Sequence, residues 1–257
     1  MTGDAFSGKW KAQDREPRRT ASGPAGSAAK TAALPVLVVT GLAREAASLG
    51  ADVVSLISGA DAGALRRALA EKANAPFSAV VSFGLAGGLD PTLSPGAMIV
   101  ATGVVAGSER CECAQALVQV LVEGFSGAGA ATRQGLVAGV EAPVMTAAAK
   151  AQLFRETGAV AVDMESHLAG AFARQRGLPF AVARVVSDPA RRALPPLAAK
   201  AVRPDGSVDV GLVLGEIARE PRQLAGLIAA GLDSGAAFGT LRRCGPLIIP
   251  LLRLALS

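Results

Sequence analysis

From Leu34 onward the chain alternates short apolar runs with longer stretches whose apolar residues recur at helical spacing. Val36 to Thr40 reads as a strand ending at Gly41, and Ala43 to Leu49 as a helix. The rhythm repeats through a strand Val53 to Ile57, a helix Ala62 to Lys72 and a strand Ala79 to Phe83. A longer strand, Ala97 to Val105, follows the Pro95-Gly96 turn. Helices near 113–123 and 146–157, strands 135–140 and 159–162, a helix from Asp163 to Gln175 and a strand 180–187 complete the series. Uniformly apolar runs of Val, Ile and Ala between helices predict a largely parallel sheet covered on both faces. In such folds ligands bind at the carboxyl ends of the strands.

Both ends of the chain break this rhythm. Residues 1–33 are rich in Gly, Ala, Ser and Pro, carry Lys9, Lys11, Arg15, Arg18, Arg19 and Lys30, and lack apolar periodicity. They read as a disordered basic tail, and residues 34–257 as a single domain. No apolar core of 7–15 residues follows the early basic positions, so a secretory signal is not expected. After Pro195-Pro196 the pattern changes to one or two helices over 208–232, interrupted at Pro221. The segment from Gly245 to Ser257 is strongly apolar but shorter than the roughly 20 residues a membrane span needs. Packing on the core, burial in a subunit interface, or a place in a membrane surface beside Arg242, Arg243 and Arg253 are its three options.

Composition narrows the function classes. With 51% apolar and 18% charged residues the chain supports a well-buried core. Only 4% of residues are aromatic, with no Tyr and one Trp, which argues against base-stacking platforms for nucleic acid. Cys111, Cys113 and Cys244 fit neither a disulfide framework nor a closed zinc site, and the one histidine, His167, cannot supply a His-rich cluster. No metal or other cofactor is expected, and a reducing cytoplasm is the simplest location.

Four acids lie just past predicted strands: Glu45, Asp163, Glu165 and Asp188. Cleaving the glycosidic bond of a purine nucleoside requires a proton for the departing base, a hold on the ribose, and a nucleophile on the opposite face. Asp188 ends an apolar strand, where partial burial would raise its pKa and keep it protonated; Ser187-Asp188-Pro189 also reads as a helix N-cap. Glu165 is the candidate to accept from both ribose hydroxyls, with Met164 as a soft apolar contact. Asp163, and less completely Glu165, also reads as an acid in the first turn of a helix. Glu45 is the candidate base for a water nucleophile, or else an exposed surface glutamate. The run Gly84-Leu85-Ala86-Gly87-Gly88 reads as a loop offering backbone N–H groups at close approach, although it lacks the spacing of a dinucleotide fingerprint. His167 lies four residues after Asp163, which predicts a local helix contact.

Four segments in ordered succession resemble the nucleoside phosphorylase superfamily over about residues 34–190. They are Thr40-Gly-Leu-Ala-Arg-Glu45, Phe83-Gly-Leu-Ala-Gly-Gly-Leu-Asp-Pro91, Val162-Asp-Met-Glu-Ser166 and Arg184-Val-Val-Ser-Asp188. The likeness is strongest to the methylthioadenosine/adenosylhomocysteine nucleosidase branch. It implies a three-layer α/β/α sandwich with a mixed, mainly parallel central sheet, commonly dimeric. It also implies that Glu165 binds the ribose hydroxyls, Met164 lines the sugar, Asp188 protonates the base and Glu45 activates water. Within the superfamily, Val162-Asp-Met-Glu-Ser-His-Leu-Ala169, Ala183-Arg-Val-Val-Ser-Asp-Pro189, Ala193-Leu-Pro-Pro196 and Arg203-Pro-Asp-Gly-Ser-Val208 resemble the hopanoid-associated phosphorylases. That resemblance implies release of adenine from adenosylhopane, by phosphate or by water, and a lipid-linked substrate with peripheral membrane contact. Leu85 stands where members often carry Ser, and Arg44 and Arg110 are the available cations for a phosphate. A nucleosidase for the small thioethers, or a non-catalytic nucleoside- or lipid-binding module, are the alternatives.

Overall fold

A computed structural model describes residues 34–50, 53–194 and 224–257. The 1–33 segment, the motifs beyond Leu194 and most of the 208–232 region lie outside the described residues. Strand β1 (Val36–Thr40) is buried at every residue, as a strand covered on both faces must be. Helix α1 (Ala43–Ala46) follows, then β2 (Val54–Ile57), α2 (Ala62–Glu71) and β3 (Ala79–Gly88). Next come β4 (Met98–Ala106), β5 (Glu109–Glu112), α3 (Gln115–Gly127), β6 (Thr132–Gly139) and α4 (Ala147–Thr157). The series closes with β7 (Ala161–Asp163), α5 (Ser166–Arg176), β8 (Phe180–Asp188), α6 (Leu224–Cys244) and α7 (Ile248–Leu256), the last two joined by a short 3-10 turn.

The eight strands form one mixed sheet in the order β2-β1-β3-β7-β6-β4-β5, with β8 inserted between β3 and β4. Pairs β1–β2, β1–β3, β3–β8, β4–β6 and β6–β7 are parallel, whereas β3–β7, β4–β5 and β4–β8 are antiparallel. Strands β3, β8, β4, β6 and β7 thus close a ring, because β3 and β4 are long enough to serve different neighbours along their lengths. Helices flank this mixed sheet, α2 packing with α5 and α3 with α7.

Two elements depart from the sequence pattern. Strand β5 has only polar or half-buried residues, so it carries no apolar run to announce it. The glycine-rich 84–88 stretch is the second half of β3 rather than a loop, held by backbone pairing to β8. Glycines weaken the strand signal, yet the neighbouring strand supplies the ladder that fixes them.

The apolar C-terminus belongs to the core. Ile248, Ile249 and Leu252 of α7 are buried, and Gly124 of α3 lets Leu251 approach closely: a Cβ there would lie 2.4 Å from its Cδ1. Leu254, beside Arg253, remains 70% exposed. No helix among the described residues is long and apolar enough to cross a membrane. Leu252→Ala should therefore cost about 2–5 kcal/mol, read as a lower midpoint in urea unfolding; an unchanged midpoint would show that α7 adds nothing to the fold.

Candidate active site

At the carboxyl ends of β1, β3, β7 and β8 lies a cavity of about 170 Å³. Glu45, Leu85, Ala86, Gly87, Asp163, Met164, Glu165, Ser187 and Asp188 all line it, joined by Lys150 and a largely apolar wall that includes Val140, Pro143 and Val144. Gly84 lies beneath, against Glu45. The structure therefore brings together four acids from three separate parts of the chain.

Glu45, on the single turn of α1, is 2% exposed and not a surface residue. One carboxylate oxygen accepts from the backbone N–H groups of Gly41 (2.7 Å) and Leu42 (2.8 Å), the other from Leu85 (2.8 Å). A Cβ at Gly84 would sit 2.5 Å from this carboxylate, and φ of 155° at that position further favours glycine. Burial pushes the Glu45 carboxyl up to about 7; Arg184 opposes the shift and Glu165 adds to it.

Glu165 sits at the N-cap of α5 rather than in its first turn, and its side chain does not cap the helix. Ser58, in the turn after β2, donates to Oε1 (2.9 Å), and Arg184 Nη2 lies 3.2 Å from Oε2. Burial raises its pKa, with Arg184 pulling the other way and Asp163 adding to the rise. Asp163 ends β7. Its Oδ1 accepts from the Ser166 N–H (3.0 Å) and its Oδ2 from the Ser166 hydroxyl, so it opens α5. Its side chain is only 1% exposed.

Arg184, from the middle of β8, is the residue whose importance sequence reasoning missed. Fully buried, it lies 2.6 Å from Asp163 Oδ2 through Nε, although that N–H does not point at the oxygen. Its Nη2 also donates to the Ser82 hydroxyl (2.5 Å) and its Nη1 to the Leu85 carbonyl (3.2 Å). A single Arg inside an apolar strand run was the available signal, since such a charge is almost never buried unpaired.

Asp188 closes β8 opposite Gly87, after an irregularity in which β8 carries one extra residue, Ser187. A bulge of this kind re-aims the side chains that follow it. The Asp188 Oδ2 then lies 3.1 Å from where a Gly87 Cβ would be, so any side chain there would need the carboxyl to give way by a few tenths of an ångström. Ser187 donates to Oδ1 (2.7 Å), and the Lys150 ammonium donates to Oδ2. Burial raises the Asp188 pKa, Lys150 opposing it and Asp233 adding slightly. Lys150 was also missed: it is the one fully buried residue of α4.

Three other expectations are corrected. Arg44 stacks on Phe238, and Arg110 pairs with Glu112 at the exposed end of β5; neither lines the cavity. His167 contacts Glu141 (Nε2 to Oε1, 3.0 Å) in place of Asp163. Asp188 caps no helix among the described residues, since β8 runs into a turn there.

Residues 31–204 match the model of the phosphorylase superfamily, and the chain belongs to that superfamily. No curated protein matches it. In structure it is similar to the 5′-methylthioadenosine/S-adenosylhomocysteine nucleosidase of Neisseria meningitidis solved with methylthio-immucillin-A (TM-score 0.63, 17% identity, 84% of this chain and 98% of that one). The Helicobacter pylori enzyme of the same name gives a TM-score of 0.62 at 14% identity, covering 86% and 98%. Futalosine hydrolase of H. pylori gives 0.55 at 16%, covering 61% and 88%. At these identities the likeness is one of fold.

Glu45 also makes a prediction about stability. Its folded pKa lies above its ordinary value of 4.5, so the unfolded chain ionises first and the stability it confers is lost as pH rises from about 4.5 to about 7. Glu45→Gln removes this loss. Urea unfolding of wild type and variant at pH 5 and pH 8 should show the wild type losing on the order of 3 kcal/mol relative to the variant. Parallel pH profiles would place Glu45 in a far more polar setting.

Proposed function

We propose that the protein cleaves the N-glycosidic bond of a 5′-substituted adenosine and releases adenine, with adenosylhopane as the substrate. The observation that carries the reading is the convergence of Glu45, Glu165 and Asp188 on one cavity. Along β3, Gly84 abuts Glu45 and Gly87 abuts Asp188. Three residues of extended strand separate these points by about 10 Å, a span suited to a nucleoside lying along the glycines.

In this reading Glu165 accepts from the 2′- and 3′-hydroxyls while Met164 covers the sugar face. Asp188 gives its proton to N7 of the base as the C–N bond breaks, and the bonding electrons leave with adenine. The Ser187 hydroxyl has the Ala86 carbonyl as a second acceptor at 3.3 Å, so it can turn away from Asp188 Oδ1 when that oxygen carries the proton. Glu45, titrating near 7, takes a proton from water as water attacks the sugar. Buried carboxylates around the sugar repel a phosphate dianion, so the chemistry favours hydrolysis over phosphorolysis.

Support for adenosylhopane rests on the hopanoid-associated wording of the sequence. The runner-up substrate is methylthioadenosine or adenosylhomocysteine, the class named for the similar bacterial nucleosidases. The same proposal includes a homodimer in the cytoplasm that meets its lipid-linked substrate at a membrane surface, where Leu254 and Arg253 are exposed.

Incubation with each nucleoside, with and without inorganic phosphate, followed by mass analysis of base and sugar, tests the reading. Adenine and free sugar at an undiminished rate without phosphate are expected; a sugar phosphate would replace hydrolysis with phosphorolysis. Asp188→Asn should lower kcat by about 10²-fold or more while still unfolding cooperatively in urea, at a lower midpoint because the buried Lys150 loses its charge partner. Full adenine release by that variant would remove Asp188 from the mechanism.

A further inference from the structure

Lys150 is the least expected side chain in the cavity wall. It is 0% exposed, and an ammonium is costly to strip of water. Its three N–H donors meet three acceptors: Asp188 Oδ2, the Pro189 carbonyl (3.2 Å) and the Arg192 carbonyl (3.1 Å). The turn that begins at Pro189 is thereby tied to α4. Other charged groups near Asp188 are Asp233 of α6, which pairs with Arg192. Lys150 is the sole cation lining the cavity among the described residues.

We propose that Lys150 is the positioning residue for the proton donor: from α4 it fixes the Asp188 carboxyl and the 189–192 turn at the base end of the cavity, and stabilises the carboxylate left when the proton departs. The inference rests on the reading of Asp188 as the acid. The atoms balance simply. The Asp188 O–H bond breaks, an N–H bond forms on the leaving base, and the new carboxylate faces an ammonium that keeps all its own protons. Without Lys150 the same transfer would leave a bare anion in a largely apolar wall. A purely structural lysine would serve the two carbonyls equally well as a neutral amide.

Lys150→Gln separates these roles, because glutamine keeps donors for the carbonyls but loses the charge; Lys150→Met removes both. For Lys150→Gln, adenine release should show kcat lowered about tenfold with little change in KM. Its pH optimum should move upward, since Asp188 without its cation holds its proton to higher pH. The ¹³Cγ shift of Asp188, followed by NMR against pH, should titrate higher in the variant than in wild type whether or not substrate is present. Wild-type kcat and pH optimum in Lys150→Gln overturn the assignment and leave the glycosidase reading standing. No adenine release by the wild type from adenosylhopane, methylthioadenosine or adenosylhomocysteine overturns both, even if the NMR titration shifts. Loss of activity in Lys150→Met alone, with Lys150→Gln like wild type, also overturns it and reduces Lys150 to a pin for the turn.

Discussion

A guanidinium buried in the middle of a strand is the constraint from which the rest of the cavity follows. Arg184 sits in β8 among Val, Ala and Phe residues that are fully buried, where a lone charge is untenable. Its partners must therefore come to it. Asp163 arrives from the end of β7, Glu165 from the first residues beyond it, and the Glu45 carboxylate lies near enough to feel its charge. Ser82, Ser166 and the Leu85 carbonyl supply its further polar contacts. Removing any member would expose the others to an uncompensated interior, so the Glu45–Glu165 end of the cavity is held by mutual need rather than by one strong bond.

The backbone does the rest of the shaping. Gly84 and Gly87 are strand residues whose missing Cβ atoms let two carboxyls touch the main chain, one at each end of a short extended segment. The extra residue at Ser187 then turns Asp188 over Gly87, since side chains on a strand alternate and one inserted position changes the face presented. Position and identity are thus coupled: neither the acids nor the glycines make a site alone.

Much of this was legible in the sequence, and what escaped has a physical reason. Long-period signals survived well: β1, β3, β4 and β8 are apolar runs whose burial leaves no other reading. Glu45, Glu165 and Asp188 stood out because acids directly after apolar strands fall where an α/β sheet opens. Strand β5 was invisible because its residues face solvent on an edge, and the second half of β3 because glycine spells a turn as readily as a close approach. Arg184 and Lys150 were overlooked for a shared cause. Each is one cation in an ordinary element, and only the fold reveals that its carboxylate partner comes from elsewhere: Asp188 is 38 residues from Lys150. Ser58 lies 107 residues from Glu165, beyond any local pattern.

These partners also give the two ends of the cavity different electrostatics from the same ingredients. Burial lifts Glu45, Glu165 and Asp188 alike. At the Glu45–Glu165 end several carboxyls share one guanidinium, so repulsion among them adds to burial and lifts Glu45 to about 7. At the other end Asp188 faces Lys150 directly, with Asp233 further removed and engaged by Arg192. Under the proposed function, one end would accept a proton and the other lose one without stranding a charge. That division follows from the ratio of cations to carboxyls at each end, and in the proposed mechanism it would set proton uptake and proton release apart along a single glycine-lined strand.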